Sequence, residues 1–167
     1  MPDFSVTPNL ERLVLEECTS LVEINFSIGD LGKLLVLNLK NCRNLKTLPK
    51  SIRLEKLEIL VLSGCSELRT FPEIEEKMNR LAEHATALSE LPASVENFPG
   101  VGVINLSYCK HLESLPSSIF RLKCLKTLDV SGCSKLKNLP DDLGLLVGLE
   151  ELHFTHTAIQ TIPYSMD

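Results

Sequence analysis

Tryptophan is absent from this 167-residue chain, tyrosine occurs twice, and aromatics together make up only 5% of it. A core without bulky rings has to be filled by aliphatic side chains. Basic charge is also short: 17 Lys and Arg face 22 Asp and Glu, for a net charge of −5. That balance argues against a nucleic-acid clamp, which needs a dominant basic stripe. No apolar run approaches the roughly 18 residues of a membrane span. The start, Met1-Pro-Asp-Phe-Ser5, has neither a basic nor an apolar stretch of the secretory kind, so no signal peptide is expected. What is abundant is leucine, present 32 times in a chain that is 44% hydrophobic. This is enough for one domain with a substantial core, and too apolar for a disordered segment. A core of one aliphatic type points to repeated packing layers.

The repeat appears when Leu10, Leu34, Leu57, Leu81, Val101, Leu125 and Leu149 are aligned, at spacings of 24, 23, 24, 20, 24 and 24. Five of the seven units read L-x-x-L-x-L-x-x-C-x-x-L, with Val or Ile standing in for some Leu; one example is Leu125-Lys-Thr-Leu128-Asp-Val130-Ser-Gly-Cys133-Ser-Lys-Leu136. This pattern resembles the leucine-rich repeat. It implies an α/β solenoid with a curved parallel β-sheet on the concave face, and 3-10, short helical or extended segments on the convex face. About seven repeats of 23–24 residues span 10–167, with the fourth, from residue 81, shortened and the last truncated. Residues 1–9 read as a lead-in or partial cap. The physics fits each part. L-x-L alternates with period two, as a strand with inward leucines. Six of the nine prolines recur at one position, in Leu48-Pro49, Phe71-Pro72, Leu91-Pro92, Leu115-Pro116, Leu139-Pro140 and Ile162-Pro163, where the chain must run extended. The x-x-I-x-x-L that follows suits a 3-10 turn.

Cys18, Cys42, Cys65, Cys109 and Cys133 each lie eight residues after their register mark, and only Cys124 falls elsewhere. An even cysteine count invites a disulfide framework. The in-phase repetition and the absence of a signal favour a ladder of reduced structural thiols, and hence a reducing, cytoplasmic compartment or one shared between nucleus and cytoplasm. Thr157 takes the cysteine's place in the last unit. In the fourth, Ala82–Ala85 is all that separates Leu81 from Thr86, so a full strand is not expected there and a distorted ladder is expected over residues 81–87. The ends look cut, and open coil ends would favour end-to-end self-association.

No catalytic constellation is visible, and neither cofactor nor metal is expected. Gly29-Asp-Leu-Gly32-Lys33 is too short between its glycines for a phosphate loop and reads as a turn. His153 and His156 lack a carboxylate or cysteine partner at ligand spacing. What remains is a surface. Concave candidates for protein binding are Arg12, Glu16, Asn38, Lys40, Val61, Ser63, Asn105, Ser107, Asp129, Ser131, Glu151 and His153. A second candidate is the basic series that runs from Arg43 and Lys46 through Lys50, Arg53 and Lys56 to Lys110, Arg121, Lys123, Lys126, Lys135 and Lys137; such a flank could dock a neighbouring domain or merely aid solubility.

Leu62-Ser-Gly-Cys65-Ser-Glu-Leu68, Leu106-Ser-Tyr-Cys109-Lys-His-Leu112-Glu-Ser-Leu115-Pro-Ser-Ser-Ile119 and Val130-Ser-Gly-Cys133-Ser-Lys-Leu136 together resemble the repeats of plant intracellular disease-resistance receptors of the TIR–NB–LRR class. The resemblance implies a non-catalytic module for recognising a pathogen effector or a guarded host protein, which also restrains an intramolecular nucleotide-binding domain. From the charge balance and the lack of a long apolar run, no nucleic-acid or membrane partner is expected. Two other readings stay open: an intracellular scaffold that binds small GTPases or other signalling proteins, and the substrate-binding part of a ubiquitin ligase.

Overall fold

The computed structural model describes residues 3–75 and 90–163. The L-x-L segments form strands β1 (Arg12–Val14), β2 (Val36–Asn38), β4 (Ile59–Val61), β6 (Val103–Asn105), β7 (Thr127–Asp129) and β8 (Glu151–His153), all in one parallel sheet in that order. The register is uniform: Leu13, Leu37, Leu60, Ile104, Leu128 and Leu152 align from strand to strand. The leucine-rich solenoid expected from the repeat is therefore the fold. The aligned residues, the register leucines and the Cys-slot residues stack into a single aliphatic core, in which Leu34, Leu57, Val101 and Leu125 are fully buried. No coil could bury such a face by itself, so stability comes from contacts between neighbouring coils.

β4 pairs directly with β6, Ile59 opposite Val103, so the sheet passes from the third unit to the fifth. The expectation of a distorted ladder at residues 81–87, including Leu81 and Thr86, lies outside the described residues. On the convex side the fourth unit does supply a layer, the 3-10 helix Ala93–Asn97. It lies between the convex segments of the third and fifth units: Asn97 Nδ2 donates to the Ile74 carbonyl (2.9 Å), and Glu96 pairs with Arg121 (2.9 Å).

The convex segments come in two forms. Phe26–Asp30, Ala93–Asn97, Ser117–Arg121 and Asp141–Leu145 are 3-10 helices, the last three starting directly after a proline. In the second and third units the chain instead extends into β3 (Ser51–Ile52) and β5 (Glu73–Ile74), which form a separate two-stranded parallel sheet. Residue count explains the second unit. Six residues carry Pro116 to Leu122, but only five carry Pro49 to Leu54. At a 3-10 rise of about 2 Å per residue the shorter segment falls about 2 Å behind, and extension at about 3.3 Å per residue makes it up. The extended pair is completed by its neighbours. The Arg53 amide donates to the Gly29 carbonyl (2.8 Å), and the Ile74 amide donates to Ser94 Oγ (3.0 Å). Gly29 is required by this closeness, because a Cβ there would stand 2.9 Å from the Ser51 carbonyl oxygen.

Candidate functional site

Each coil leaves the sheet through the same turn. The residue before the cysteine slot adopts a left-handed backbone in every strand-bearing unit: Glu17, Asn41, Gly64, Tyr108, Gly132 and His156 have φ between 56° and 73°. Their amides continue the ladder, for example Asn41 to the Ser63 carbonyl (2.7 Å) and Tyr108 to the Ser131 carbonyl (2.7 Å). The next side chain then turns inward. Cys42 Sγ donates to the Leu15 carbonyl (2.9 Å), Cys65 to Leu39 (3.1 Å), Cys109 to Leu62 (3.3 Å) and Cys133 to Leu106 (3.2 Å). Each thiol thus donates to a carbonyl of the preceding strand-bearing coil, as a second donor at Leu39, Leu62 and Leu106, whose carbonyls also accept the Cys42, Cys65 and Cys109 amides. Burial pushes the Cys65 and Cys133 thiols up to about 12 and Cys109 well above the ordinary value. They remain S–H donors rather than thiolates. All six cysteines are free; Cys18 is half-buried and Cys124 exposed. Thr157 differs, its hydroxyl donating within its own coil to the Phe154 carbonyl (2.9 Å).

The concave candidates divide into three groups. Arg12, Glu16, Lys40, Glu151 and His153 are exposed. Asn38, Val61, Ser63, Asn105, Asp129 and Ser131 are half-buried, and several are held by local bonds. Asn38 Oδ1 accepts the Lys40 amide (3.0 Å), Asn105 Oδ1 the Ser107 amide (3.0 Å) and Asp129 Oδ1 the Ser131 amide (2.9 Å). This is an Asx turn repeated at the strand end, where side-chain oxygens substitute for the finished ladder. The sequence did contain the signal, Asn or Asp two residues before Lys or Ser, but reading these positions only as surface missed it. Ser107 corrects the expectation outright. It is only 5% exposed, because β4 and β6 meet directly and its hydroxyl is enclosed between Ser63 Oγ (2.8 Å) and Asn105 Oδ1 (2.8 Å). It cannot offer a hydroxyl to a partner.

Contacts between strands tie the rest together. Asn38 Nδ2 donates to Glu16 (2.7 Å) and Asn105 Nδ2 to Asp129 (3.3 Å), while within β8 His153 Nε2 stands 3.6 Å from Glu151. Among the described residues no group of three or more His, Cys, Asp or Glu is placed to hold a metal ion. Nor is any helix among the described residues long and apolar enough to cross a membrane. Asn25 caps its own helix, Oδ1 accepting the Ser27 amide (2.9 Å).

A curved sheet with a polar row on its concave side, a thiol ladder and proline-led convex turns can be compared with known proteins as a whole. The family described as "Disease resistance protein RPS4B-like, leucine-rich repeats" matches residues 53–143, more than half of the chain. The chain belongs to this family.

These RPS4B-like repeats have relatives among disease resistance proteins of Arabidopsis thaliana. The protein SUPPRESSOR OF npr1-1, CONSTITUTIVE 1 is 40% identical over 113 residues, 68% of this chain and 8% of that protein. Disease resistance protein RPP5 is 40% identical over 112 residues, 67% of this chain and 8% of that protein. The chain therefore spans under a tenth of the length of these relatives. The receptor kinase HAESA, solved in complex with the peptide hormone IDA and the co-receptor SERK1, superposes with a TM-score of 0.50 at 20% identity, covering 97% of this chain and 28% of that one. That likeness concerns the solenoid fold alone.

Proposed function

We propose that this chain is a non-catalytic protein-recognition module of a plant immune receptor, and that its concave sheet contacts a pathogen effector or a guarded host protein. The observation carrying this reading is the row of exposed groups on one rigid ladder, from Arg12, Glu16 and Lys40 at one end to Glu151 and His153 at the other. Side chains fixed at strand spacing can be read by a partner with little ordering cost. In a parent receptor, the same repeats would also touch the nucleotide-binding domain. A partner that binds the released state more tightly then shifts the population toward signalling. The relatives' role in disease resistance supports the setting, and a cytoplasmic site of action goes with it.

The test places Lys40→Glu and Glu151→Lys, singly, in a receptor carrying these repeats, and scores cell death in leaf tissue with and without the matching effector. Both side chains are exposed, so the melting temperature should not move. A changed response supports a concave interface. Wild-type responses from both variants would remove it.

A further inference from the structure

The bases that formed one series in the sequence separate into two sets in space. On the convex and ascending side three of the six are paired with acids: Arg53 with Glu75 (2.9 Å), Arg121 with Glu96 (2.9 Å) and Lys126 with Glu150 (2.8 Å). The flank where each coil descends from its cysteine slot is different. In the four residues after that slot, across the strand-bearing coils, lie Arg43, Lys46, Arg69, Lys110, Lys135 and Lys137, all exposed. The same stretches hold only two acids, Glu67 and Glu113. Six of the chain's 17 bases and two of its 22 acids thus fall on one flank of a molecule whose net charge is −5.

The ladder fixes these charges side by side. The Lys46 amide donates to the Val22 carbonyl (2.8 Å), and the Arg69 amide to the Lys46 carbonyl (2.9 Å). Lys46 and Arg69 therefore occupy equivalent positions one strand spacing apart, about 4.8 Å. Like charges so placed repel and are not optimal for the free molecule. Only part of this charge is neutralised locally. Lys135 pairs with Glu113 at 3.0 Å and Arg69 more loosely with Glu67 at 3.4 Å. Arg43, Lys46, Lys110 and Lys137 form no salt bridge with a described residue. One residue further along, the ladder Glu23–Thr47–Thr70 offers hydroxyls and an acid, which bounds the strip.

We propose that this descending flank is a second interaction surface, separate from the concave sheet, and that its partner is an acidic protein segment. Complementary charge would relieve the like-charge repulsion and speed encounter. A protein partner fits better than nucleic acid. Glu67 and Glu113 sit inside the strip, where they would repel an unbroken run of phosphates but can be avoided by spaced carboxylates. The acidity of the rest of the chain opposes a long polyanion as well.

The test uses the 167-residue chain with two fluorescent probes, a peptide of alternating Glu and Ser and a single-stranded oligonucleotide of similar charge, followed by anisotropy across a salt series. The expected result is binding of the peptide that weakens as salt rises. The Lys46→Glu/Lys137→Glu double variant should lose at least tenfold in affinity at an unchanged melting temperature, while the concave Lys40→Glu variant binds as wild type. Tighter binding of the oligonucleotide than of the peptide would overturn the acidic-protein assignment. Equal losses in the flank and concave variants would overturn the flank as a separate surface, and so would no binding at the lowest salt. Because the concave variant serves as the control, failure here leaves the proposed concave interface untouched.

Discussion

The two faces of this solenoid answer to different constraints. On the concave side every strand is three residues long and every register repeats, Leu13 to Leu37 to Leu60 to Ile104 to Leu128 to Leu152. On the convex side the same repeat yields 3-10 helices in four places and a two-stranded sheet in another, and its fourth layer lies beside the point where the ladder joins β4 to β6 directly. The ladder is rigid because each amide must meet a carbonyl at a fixed spacing, and a one-residue slip would turn leucines outward. The convex side makes fewer backbone bonds between coils, so it can absorb changes in length. Repeats drift where hydrogen bonding between neighbours is least demanding.

If the concave side is the rigid one, the largest effect should come from its core. Leu128→Asp places a carboxylate where the native side chain has no exposure. An unpaired buried charge costs several kcal/mol, and a domain's whole net stability is only about 5–15 kcal/mol. Loss of the cooperative urea transition is the expected outcome; a folded variant with a normal midpoint would contradict the contrast between faces. The neighbouring Asp129 gives the graded case. Its carboxylate holds the Ser131 amide and accepts from Asn105, so Asp129→Lys does not leave the fold untouched, as a free surface charge would. A loss of about 1 kcal/mol is expected, the usual worth of such a bond.

The thiol ladder comes next. Cys109→Ala removes one of the two donors to the Leu62 carbonyl, which keeps the Cys65 amide (3.1 Å), and opens a small void, for an expected loss of about 1 kcal/mol by urea denaturation. The same thiols set a pH dependence. A thiol whose folded pKa is raised stabilises the fold fully below its unfolded value of 9.0, and this is lost as pH climbs toward about 12 at Cys65 and Cys133. Stability should therefore fall above about pH 9, and the Cys65→Ala/Cys133→Ala variant should show a shallower decline than wild type. An identical decline would mean that other groups control it. Thiol labelling gives a companion measurement: in the native chain Cys124 and then Cys18 should react with a disulfide reagent, and the buried four only on unfolding.

The sequence displays the ladder more plainly than the site. The period, inward leucines and cysteine phase suffice for the sheet, because hydrophobic spacing encodes burial directly. The extended form of the second unit was also legible, though only through the single 23-residue spacing after Leu34, and through the Ile52-Arg-Leu54 that replaces Ile119-Phe-Arg-Leu122. The site was harder to read. Alternation identifies which residues face the concave side but not which are spent on local bonds. Ser107 is the clear case: its burial depends on β6 lying against β4, 44 residues away from its partner Ser63 in sequence. The division of the bases into paired and unpaired sets likewise depends on distances between coils that no spacing supplies.

The smallest effect sharpens the comparison on the convex side itself. Gly29→Ala should cost about 1 kcal/mol, because the new Cβ would press to 2.9 Å from the Ser51 carbonyl, and that carbonyl is backbone with little room to yield. The cost exists only because the second unit runs extended against the Phe26–Asp30 helix. Inserting one residue between Arg53 and Leu54 restores the six-residue path found from Pro116 to Leu122, and should allow a 3-10 turn in place of β3. In that background the Gly29→Ala penalty, measured as a shift in the urea midpoint, should shrink toward zero. An undiminished penalty would show that side-chain packing, rather than residue count, selects the extended form. The insertion alone should change stability little, since it falls on the face that already accommodates variation in length.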